Sequence, residues 1–332
     1  MIKKDEFKVV VMGGGTGTYV VISGLKRYPL KITAIVTVAD SGGSTGRLRD
    51  EFGFLPVGDL RQSLAALAEE NHQSWIRDLL LYRFSHGEGL QGHNLGNLIL
   101  TSLQDMVGST PKALEIAARI FRLEGNIYPV TTQRVDLVVE YADGSFVIGE
   151  HHLNPDEVGG KKIRQIRLSP RAKLYEKSRK SIEASDMIVI GPGDLYASIL
   201  PNLVVSGVKQ AFAKTKATIV YIVNLMTRYT QTHNFKSSDH VAEVEAYLGR
   251  KSDYVIVNSG KIPKTALRLY QKENEFPVVN DLSDNTYKII TDNFASVASD
   301  QKQKGDEVRR SLLRHNRDKL AKILMRIVEE RQ

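Results

Sequence analysis

The segment VVVMGGGTGTYVV, residues 9–21, constrains the fold more than any other part of the chain. An apolar run leads directly into four glycines within five positions, which is typical of a buried strand that turns sharply into a helix. Such a turn directs backbone N–H groups at one point, where they can bind an anion such as phosphate. The residues of this candidate phosphate site are Gly13, Gly14, Gly15, Thr16, Gly17 and Thr18.

Two common nucleotide motifs do not match this turn. A nucleotide triphosphatase loop ends in Gly-Lys-Ser/Thr, and no lysine follows the glycines here. A dinucleotide fingerprint reads G-x-G-x-x-G, but the register that begins at Gly13 ends at Thr18, and the register from Gly15 ends at Val20. The segment therefore predicts a Rossmann-like phosphate site without the Rossmann fingerprint, although an NAD(P) enzyme stays possible on the fold alone.

Short β-branched runs alternate with helix-like stretches along the rest of the chain. Strands are predicted at 7–12, 32–38, 186–190, 217–223 and 254–257, with a weaker one at 287–290. Stretches 60–70 and 241–249 have helical character. This alternation favours a mostly parallel sheet with helices on both faces, in a single α/β domain that spans residues 1–332.

Two regions depart from the alternating pattern. Runs 135–141 and 145–153 predict an antiparallel hairpin that turns at Asp143-Gly144, within an insertion at about 127–180. Apolar residues at helical spacing predict a C-terminal helix at about 303–330.

Composition narrows the class of protein. The chain has 332 residues, a formal net charge of +8 and no cysteine, which excludes disulfides and thiolate metal sites. No apolar run reaches the roughly 20 residues of a membrane span, and no leader sequence is evident, so a cytoplasmic location is expected. Segment 161–180 alone carries a net +8, but Tyr175 is its only aromatic residue, so a solvated face is favoured over a nucleic-acid site.

Polar or small residues follow each predicted strand, where ligands bind in open parallel sheets. Asp40 follows the second strand, Asn224 the fourth and Asn258 the fifth. Together these strand ends predict one shared crevice. The candidate ligand-binding residues beyond the first turn are Asp40, Ser41, Gly42, Gly43, Ser44, Asp59, Arg61, His93, Asn94, Asn97, Gly191, Pro192, Gly193 and Asn224.

Three short motifs suggest roles for some of these residues. In GDLRQSL the spacing of Asp59 and Gln62 is that of a helix N-cap, and the same aspartate, with Asp40, could instead hold magnesium beside a phosphate. In QGHNLGNLIL the spacing predicts His93 and Asn97 on one helical face. The EHH at 150–152 matches no common zinc motif and is interpreted as a loop.

These motifs, in order, resemble those of the YvcK/CofD-like family, often labelled gluconeogenesis factors. The resemblance rests on GGGTG, DSGGSTGRLRDEFG, GDLRQSL, GHNLGNL, GPGDLYASILPNL and NLMT, and it extends from residue 8 to about 320. It implies a Rossmann-like fold and one of two activities. YvcK-type members resemble binders of nucleotide sugars, notably UDP-N-acetylglucosamine, tied to cell shape and wall synthesis on gluconeogenic carbon. CofD-type members are magnesium-dependent transferases that move a phospholactyl-type group onto a deazaflavin.

The residues of these motifs resemble those of the YvcK branch more closely than those of the CofD branch. The resemblance implies that the first glycine turn cradles the diphosphate, that Asp40 and Asn224 position the nucleoside or sugar, and that Arg314 reaches the phosphates. A homo-oligomer and a wall-synthesis or regulatory protein are the further partners that this hypothesis allows. Two positions depart from the branch: Asp194 stands where serine is usual, and Gln231 stands where glutamate is usual.

The leading hypothesis is therefore a nucleotide-sugar sensor without catalytic activity, because no acid–base pair is evident in the sequence. A magnesium-dependent CofD-type transferase is the main alternative.

Overall fold

A central parallel sheet organises the chain, which a computed structural model describes over residues 7–68, 74–283, 286–297 and 312–331. The strands are β1 (Phe7–Gly13), β2 (Leu30–Val36), β3 (Asn126–Pro129), β4 (Asp136–Tyr141), β5 (Phe146–Ile148), β6 (Ile163–Ser169), β7 (Met187–Ile190), β8 (Thr218–Ile222), β9 (Tyr254–Asn258), β10 (Lys288–Asp292), β11 (Ala295–Val297) and β12 (Leu313–His315). The helices are α1 (Gly15–Leu25), α2 (Gly43–Phe52), α3 (Gly58–Leu67), α4 (Ser74–Leu81), α5 (Leu95–Val107), α6 (Thr110–Ile120), α7 (Pro155–Val158), α8 (Glu176–Glu183), α9 (Leu200–Leu203), α10 (Val208–Lys214), α11 (Ser237–Leu248), α12 (Lys264–Gln271) and α13 (Arg317–Glu330).

The main sheet has seven strands in the order β10-β9-β8-β7-β1-β2-β3, and every neighbouring pair is parallel. The six strands predicted from β-branched runs all lie in it, which confirms the Rossmann-like α/β fold. Strand order reverses between β1 and β7, because the chain moves outward on one side of β1 first and on the other side later. A crevice is expected at such a reversal, beyond the carboxyl ends of the strands.

Alternate residues of each strand face opposite layers, as the two-residue period of a strand requires. Val9 and Val11 pack into the layer that contains α1, α3 and α13. Val10 and Met12 pack into the other layer, with residues of α9, α10 and α11. Since β1 is buried on both faces after Lys8, its residues from Val9 to Met12 are continuously apolar instead of alternating.

The predicted hairpin is confirmed, but its surroundings differ from the expectation. Strands β5, β4 and β6 form a separate antiparallel sheet, in that order, and β4 turns into β5 at Asp143-Gly144. Strand β3, placed within the insertion by the sequence, is instead the edge of the main sheet, so the inserted part begins after Pro129. Strand β6 was missed because Arg164, Gln165 and Arg167 interrupt its apolar residues, which therefore do not alternate strictly.

Basic residues of segment 161–180 are paired within the chain. Lys161 lies 3.0 Å from Asp143, Arg167 lies 3.2 Å from Glu140, and Arg179 lies 2.6 Å from Glu176. These pairs favour the interpretation of a solvated face over a nucleic-acid site.

The C-terminal helix begins later than the sequence predicts. Residues 303–311 of the predicted helix lie outside the described residues, and Leu313–His315 form strand β12, antiparallel to β11. Helix α13 begins at Arg317 because the Asn316 side chain accepts a hydrogen bond from the Lys319 N–H (3.0 Å) and caps the first turn. Across the described ranges, the helices are all too short or too polar to cross a bilayer.

Candidate functional site

A crevice of about 350 Å³ opens where the strand order reverses, at the carboxyl ends of the parallel strands. The ends of β1, β2, β7 and β8 all reach it, as the sequence predicts. The end of β9 does not, and the side-chain oxygen (Oδ1) of Asn258 instead accepts the N–H groups of Phe294 and Ala295. The predicted site residues that line the crevice are Gly14, Gly15, Thr16, Gly17, Asp40, Gly42, Ser44, Asp59, Arg61, Asn97, Pro192, Gly193, Asn224 and Arg314.

Seven other predicted site residues lie behind these and support them. Thr18 is buried and donates its hydroxyl proton to the Gly14 carbonyl (3.2 Å). Asn94 is the N-cap of α5, where its side chain accepts the N–H of Asn97 (3.2 Å). The supporting residues are Gly13, Thr18, Ser41, Gly43, His93, Asn94 and Gly191.

The first turn of α1 is held tightly against the loop that follows β7. A Cβ at Gly17 would lie 1.9 Å from the Pro192 carbonyl oxygen, so a larger residue would fit here only if the backbone moved. This glycine is therefore explained by packing between the two halves of the sheet.

Asp59 does not cap its own helix, contrary to the prediction. Val57 is the N-cap of α3, and Asp59 lies in the first turn. Its carboxylate accepts the Gly15 N–H (2.8 Å) and packs directly against Gly14. Asp59 thus places a negative charge at the N-terminus of α1, where the helix dipole favours it.

Asp40 lies beside Asp59 and is held by the second glycine cluster. It accepts the Gly42 N–H (2.9 Å) and the hydroxyl proton of Thr45. A Cβ at Gly58 would be 2.5 Å from both the Asp40 carboxylate and the Thr45 hydroxyl, so only glycine fits there.

His93 does not share a helical face with Asn97, because α5 begins only at Leu95. Its ring nitrogen instead lies 3.3 Å from the Ser44 hydroxyl. The same hydroxyl accepts the Asn97 side-chain amide (3.2 Å), which also donates to Thr45 (3.4 Å). These bonds connect α5 to Asp40.

The sequence missed Glu150, because an EHH segment after a strand carries no recognisable motif. Residues 150–152 form a 3-10 turn after β5, and Glu150 lines the crevice. Ser41 anchors this turn, since its hydroxyl lies 2.9 Å from His151 Nδ1 and accepts the His151 N–H (3.2 Å). The inserted sheet therefore contributes a carboxyl to the site. Other lining residues that the sequence missed are Tyr19, Gln62, Arg77, Arg83, Arg228, Tyr270 and Glu275.

The crevice carboxyls hold protons unusually well. Burial, and then the charge of Asp40, raises the pKa of Asp59 to about 7. Burial, and then the charges of Asp40, Asp194 and Asp59, raises the pKa of Glu150 to about 8. Burial also raises the pKa of Asp40. At neutral pH this part of the site therefore carries less negative charge than its composition indicates.

Asp194 and Arg228 form an ion pair at the edge of the crevice. Two nitrogens of the Arg228 guanidinium lie 3.1 and 3.2 Å from the Asp194 carboxylate, and a third lies 3.4 Å from Glu275, which is buried. The negative charge of Asp194 raises the pKa of Arg228 further. The charge of Asp194 is thus neutralised by Arg228, three residues before Gln231.

Positive side chains also line the crevice. The Arg77 guanidinium lies over the Tyr19 ring, 5.2 Å from its centroid. Arg314 lies on β12, next to His315, whose Nε2 is 3.1 Å from the Val223 carbonyl. Burial lowers the pKa of His315 to about 4, so this histidine is neutral and holds β12 against the end of β8.

Metal binding by protein groups alone is not supported in the described part of the chain, where no three His, Asp or Glu side chains are grouped to hold an ion. Asp40 and Asp59 could still supply two oxygens. Magnesium commonly binds one or two carboxylates and takes its other ligands from water and phosphate.

Comparison with known families gives a match over most of the chain. The model of a family described as 2-phospho-L-lactate transferase CofD matches residues 9–295. A Nostoc protein named "Putative gluconeogenesis factor" is 39% identical over 326 residues, covering 96% of this chain and 68% of the relative. A Thermotoga maritima protein of the same name is 39% identical over 321 residues, covering 96% of this chain and 99% of the relative.

A solved structure shows the same fold. The crystal structure of a Bacillus halodurans protein matches with a TM-score of 0.87 and 36% identity, covering 98% of this chain and 100% of that chain. The architecture is therefore shared with this protein over nearly its whole length.

Removal of Arg228 is expected to destabilise the fold, because Asp194 and buried Glu275 would lose their cation. We expect Arg228→Met to lower the free energy of unfolding by about 3 kcal/mol in urea denaturation. Arg167→Met, which breaks an exposed pair, should change it by less than about 1 kcal/mol. Equal effects of the two substitutions would contradict this assignment.

Glu150 is expected to make stability fall as pH rises. Its pKa is higher in the folded state than the ordinary 4.5, so its stabilising effect is complete below about pH 4 and is lost as pH rises through about 8. The free energy of unfolding of Glu150→Gln should therefore rise by about 4 kcal/mol relative to that of the wild-type protein between pH 5 and pH 9, measured by urea denaturation at both pH values. Asp156→Asn, at an exposed position on the same insertion, should show no such gain. If the difference in unfolding free energy between Glu150→Gln and the wild-type protein did not change with pH, the raised pKa of Glu150 would be refuted.

Proposed function

The chain belongs to the CofD family, among relatives named gluconeogenesis factors, and from this premise we propose that its crevice binds a nucleotide diphosphate sugar of the UDP-N-acetylglucosamine type. The observation that carries the proposal is the convergence of the α1 N-terminus with Arg77, Arg83 and Arg314 on one crevice. Helix N-termini and arginines are the groups that proteins use to bind phosphates. A crevice of about 350 Å³ is within the size range of small-ligand sites.

In this proposal the first turn of α1 and the arginines take the diphosphate, and Asp40 and Asn224 take the nucleoside or sugar. The Asn224 side-chain oxygen is buried without a hydrogen-bond partner among the described residues, so a ligand donor would satisfy it. Such a protein would act as a cytoplasmic sensor that adjusts cell-wall synthesis and cell shape during growth on gluconeogenic carbon. It would act through a regulatory or wall-synthesis protein, without a reaction of its own.

The proposal predicts selective stabilisation by UDP-sugars. We expect UDP-N-acetylglucosamine or UDP-glucose to raise the melting temperature in proportion to occupancy, whereas NAD, NADP and GTP should not. Calorimetry at near-physiological salt measures the affinity, and Arg314→Ala should weaken it about tenfold through loss of one charged phosphate contact. The proposal fails if no UDP-sugar binds.

A magnesium-dependent transferase of the CofD type is the second candidate. The observation in its favour is the pair Asp40 and Asp59 at the start of α1, together with the description of the matched family. The two carboxylates raise each other's affinity for positive charge, so they would suit a magnesium ion beside a phosphate. Bound magnesium would neutralise charge on the transferred group, while Asp59 would orient the first turn of α1.

The two candidates differ in their response to magnesium. For the transferase, affinity for a nucleotide diphosphate should rise at least about tenfold with magnesium, and Asp59→Asn should abolish that rise because one carboxylate is lost. For the sensor, calorimetry with magnesium and with EDTA should give the same affinity in both proteins. Asp156→Asn serves as the control for loss of one negative charge.

A further inference from the structure

The crevice contains a group of side-chain oxygen atoms that can accept hydrogen bonds. It consists of the carboxylates of Asp40, Asp59 and Glu150 and the side-chain oxygen of Asn97, which we call the acceptor cluster. The charges of Asp40 and Asp59 act on Glu150, and Asn97 is linked to Asp40 through Thr45, so the four groups are neighbours.

The orientation of the Asn97 amide follows from its partners. Thr45 donates its hydroxyl proton to Asp40, so the Thr45 oxygen can only act as an acceptor toward Asn97. The side-chain nitrogen of Asn97 is therefore the amide atom that faces Thr45 and donates to it. The side-chain oxygen of Asn97 is then the amide atom that does not contact Thr45. Asn97 is 2% exposed, lines the crevice, and has no hydrogen-bond partner for this oxygen among the described residues. A buried acceptor of this kind calls for a donor, which a bound ligand can supply.

Glu150 differs from the other two carboxyls in accepting no hydrogen bond from the described residues. Asp40 accepts from Gly42, and Asp59 accepts from Gly15. Within the described ranges, no N–H or O–H group of the chain is hydrogen-bonded to the Glu150 carboxyl. The Ser41–His151 contacts nevertheless hold its turn in place beside the crevice.

We propose that the acceptor cluster binds the hydroxyl and amide donors of the sugar, and that Glu150, delivered by the inserted sheet, is a specificity-determining residue. This inference rests on the proposed function and assigns one part of its ligand. Phosphate oxygens are themselves acceptors and would compete with these side-chain oxygens for donors, whereas a sugar presents several O–H groups that can both donate and accept and, in N-acetylated sugars, an N–H. Carboxylates accept such donors through strong, directional hydrogen bonds.

The inference is tested by comparing UDP with UDP-N-acetylglucosamine on the full chain, by calorimetry in EDTA. Glu150→Ala should weaken UDP-N-acetylglucosamine binding about tenfold, the effect of one lost hydrogen bond, and leave UDP binding unchanged. Glu150→Gln keeps one acceptor oxygen and should show a smaller loss. Asp156→Ala, on the same insertion, should bind both ligands like the wild-type protein.

Other outcomes overturn the inference in distinguishable ways. Equal changes in UDP and UDP-sugar affinity would show that Glu150 acts on the phosphates or on folding, which thermal unfolding of the free variants would separate. A loss that appears only with magnesium would show that the cluster holds a cation. If the wild-type protein binds UDP-sugars but Glu150→Ala leaves their affinity unchanged, the inference alone fails. If the wild-type protein binds none, the proposed function fails first.

Discussion

The hydrogen bond from the Gly15 N–H to the Asp59 carboxylate, 2.8 Å long, is the contact on which the crevice depends. It joins the first turn of α1 to the first turn of α3, so the elements that follow β1 and β2 are fixed relative to each other. Gly14 and Gly58 permit this approach because the carboxylates of Asp59 and Asp40 occupy the space that their side chains would need. The glycines of two separate motifs therefore serve one purpose, the close placement of two aspartates beside a helix N-terminus.

This arrangement concentrates negative charge in a partly buried place, and the protein compensates for it in three ways. Backbone N–H groups of Gly15 and Gly42 stabilise the ionised aspartates. Arg61, which is buried, favours ionisation of both. Burial, together with the remaining repulsion, favours protonation and raises the pKa of Glu150 to about 8. A ligand that supplies hydrogen-bond donors or positive charge would stabilise the same groups.

The two positions that depart from the family pattern are also explained by neighbours distant in sequence. The Asp194 charge is neutralised by Arg228, and the Gln231 side-chain oxygen accepts the Tyr196 N–H (3.1 Å). Asp194 and Arg228 are 34 residues apart, and they meet because both follow adjacent strands of one parallel sheet. A charged residue near a proposed anion site is thus consistent with anion binding once its partner is known.

The sequence by itself determined six of the seven strands of the main sheet, their parallel arrangement, and the convergence of four strand ends on one crevice. Apolar runs of strand length and glycine turns are local signals, and parallel strands bring their carboxyl ends to one edge. Only the tertiary structure decided that Asp59 caps α1 and not α3, that His93 precedes its helix, and that Glu150 enters the site from an inserted sheet. Each of these depends on contacts between residues distant in sequence, and no local pattern of residue types encodes which groups such contacts will bring together.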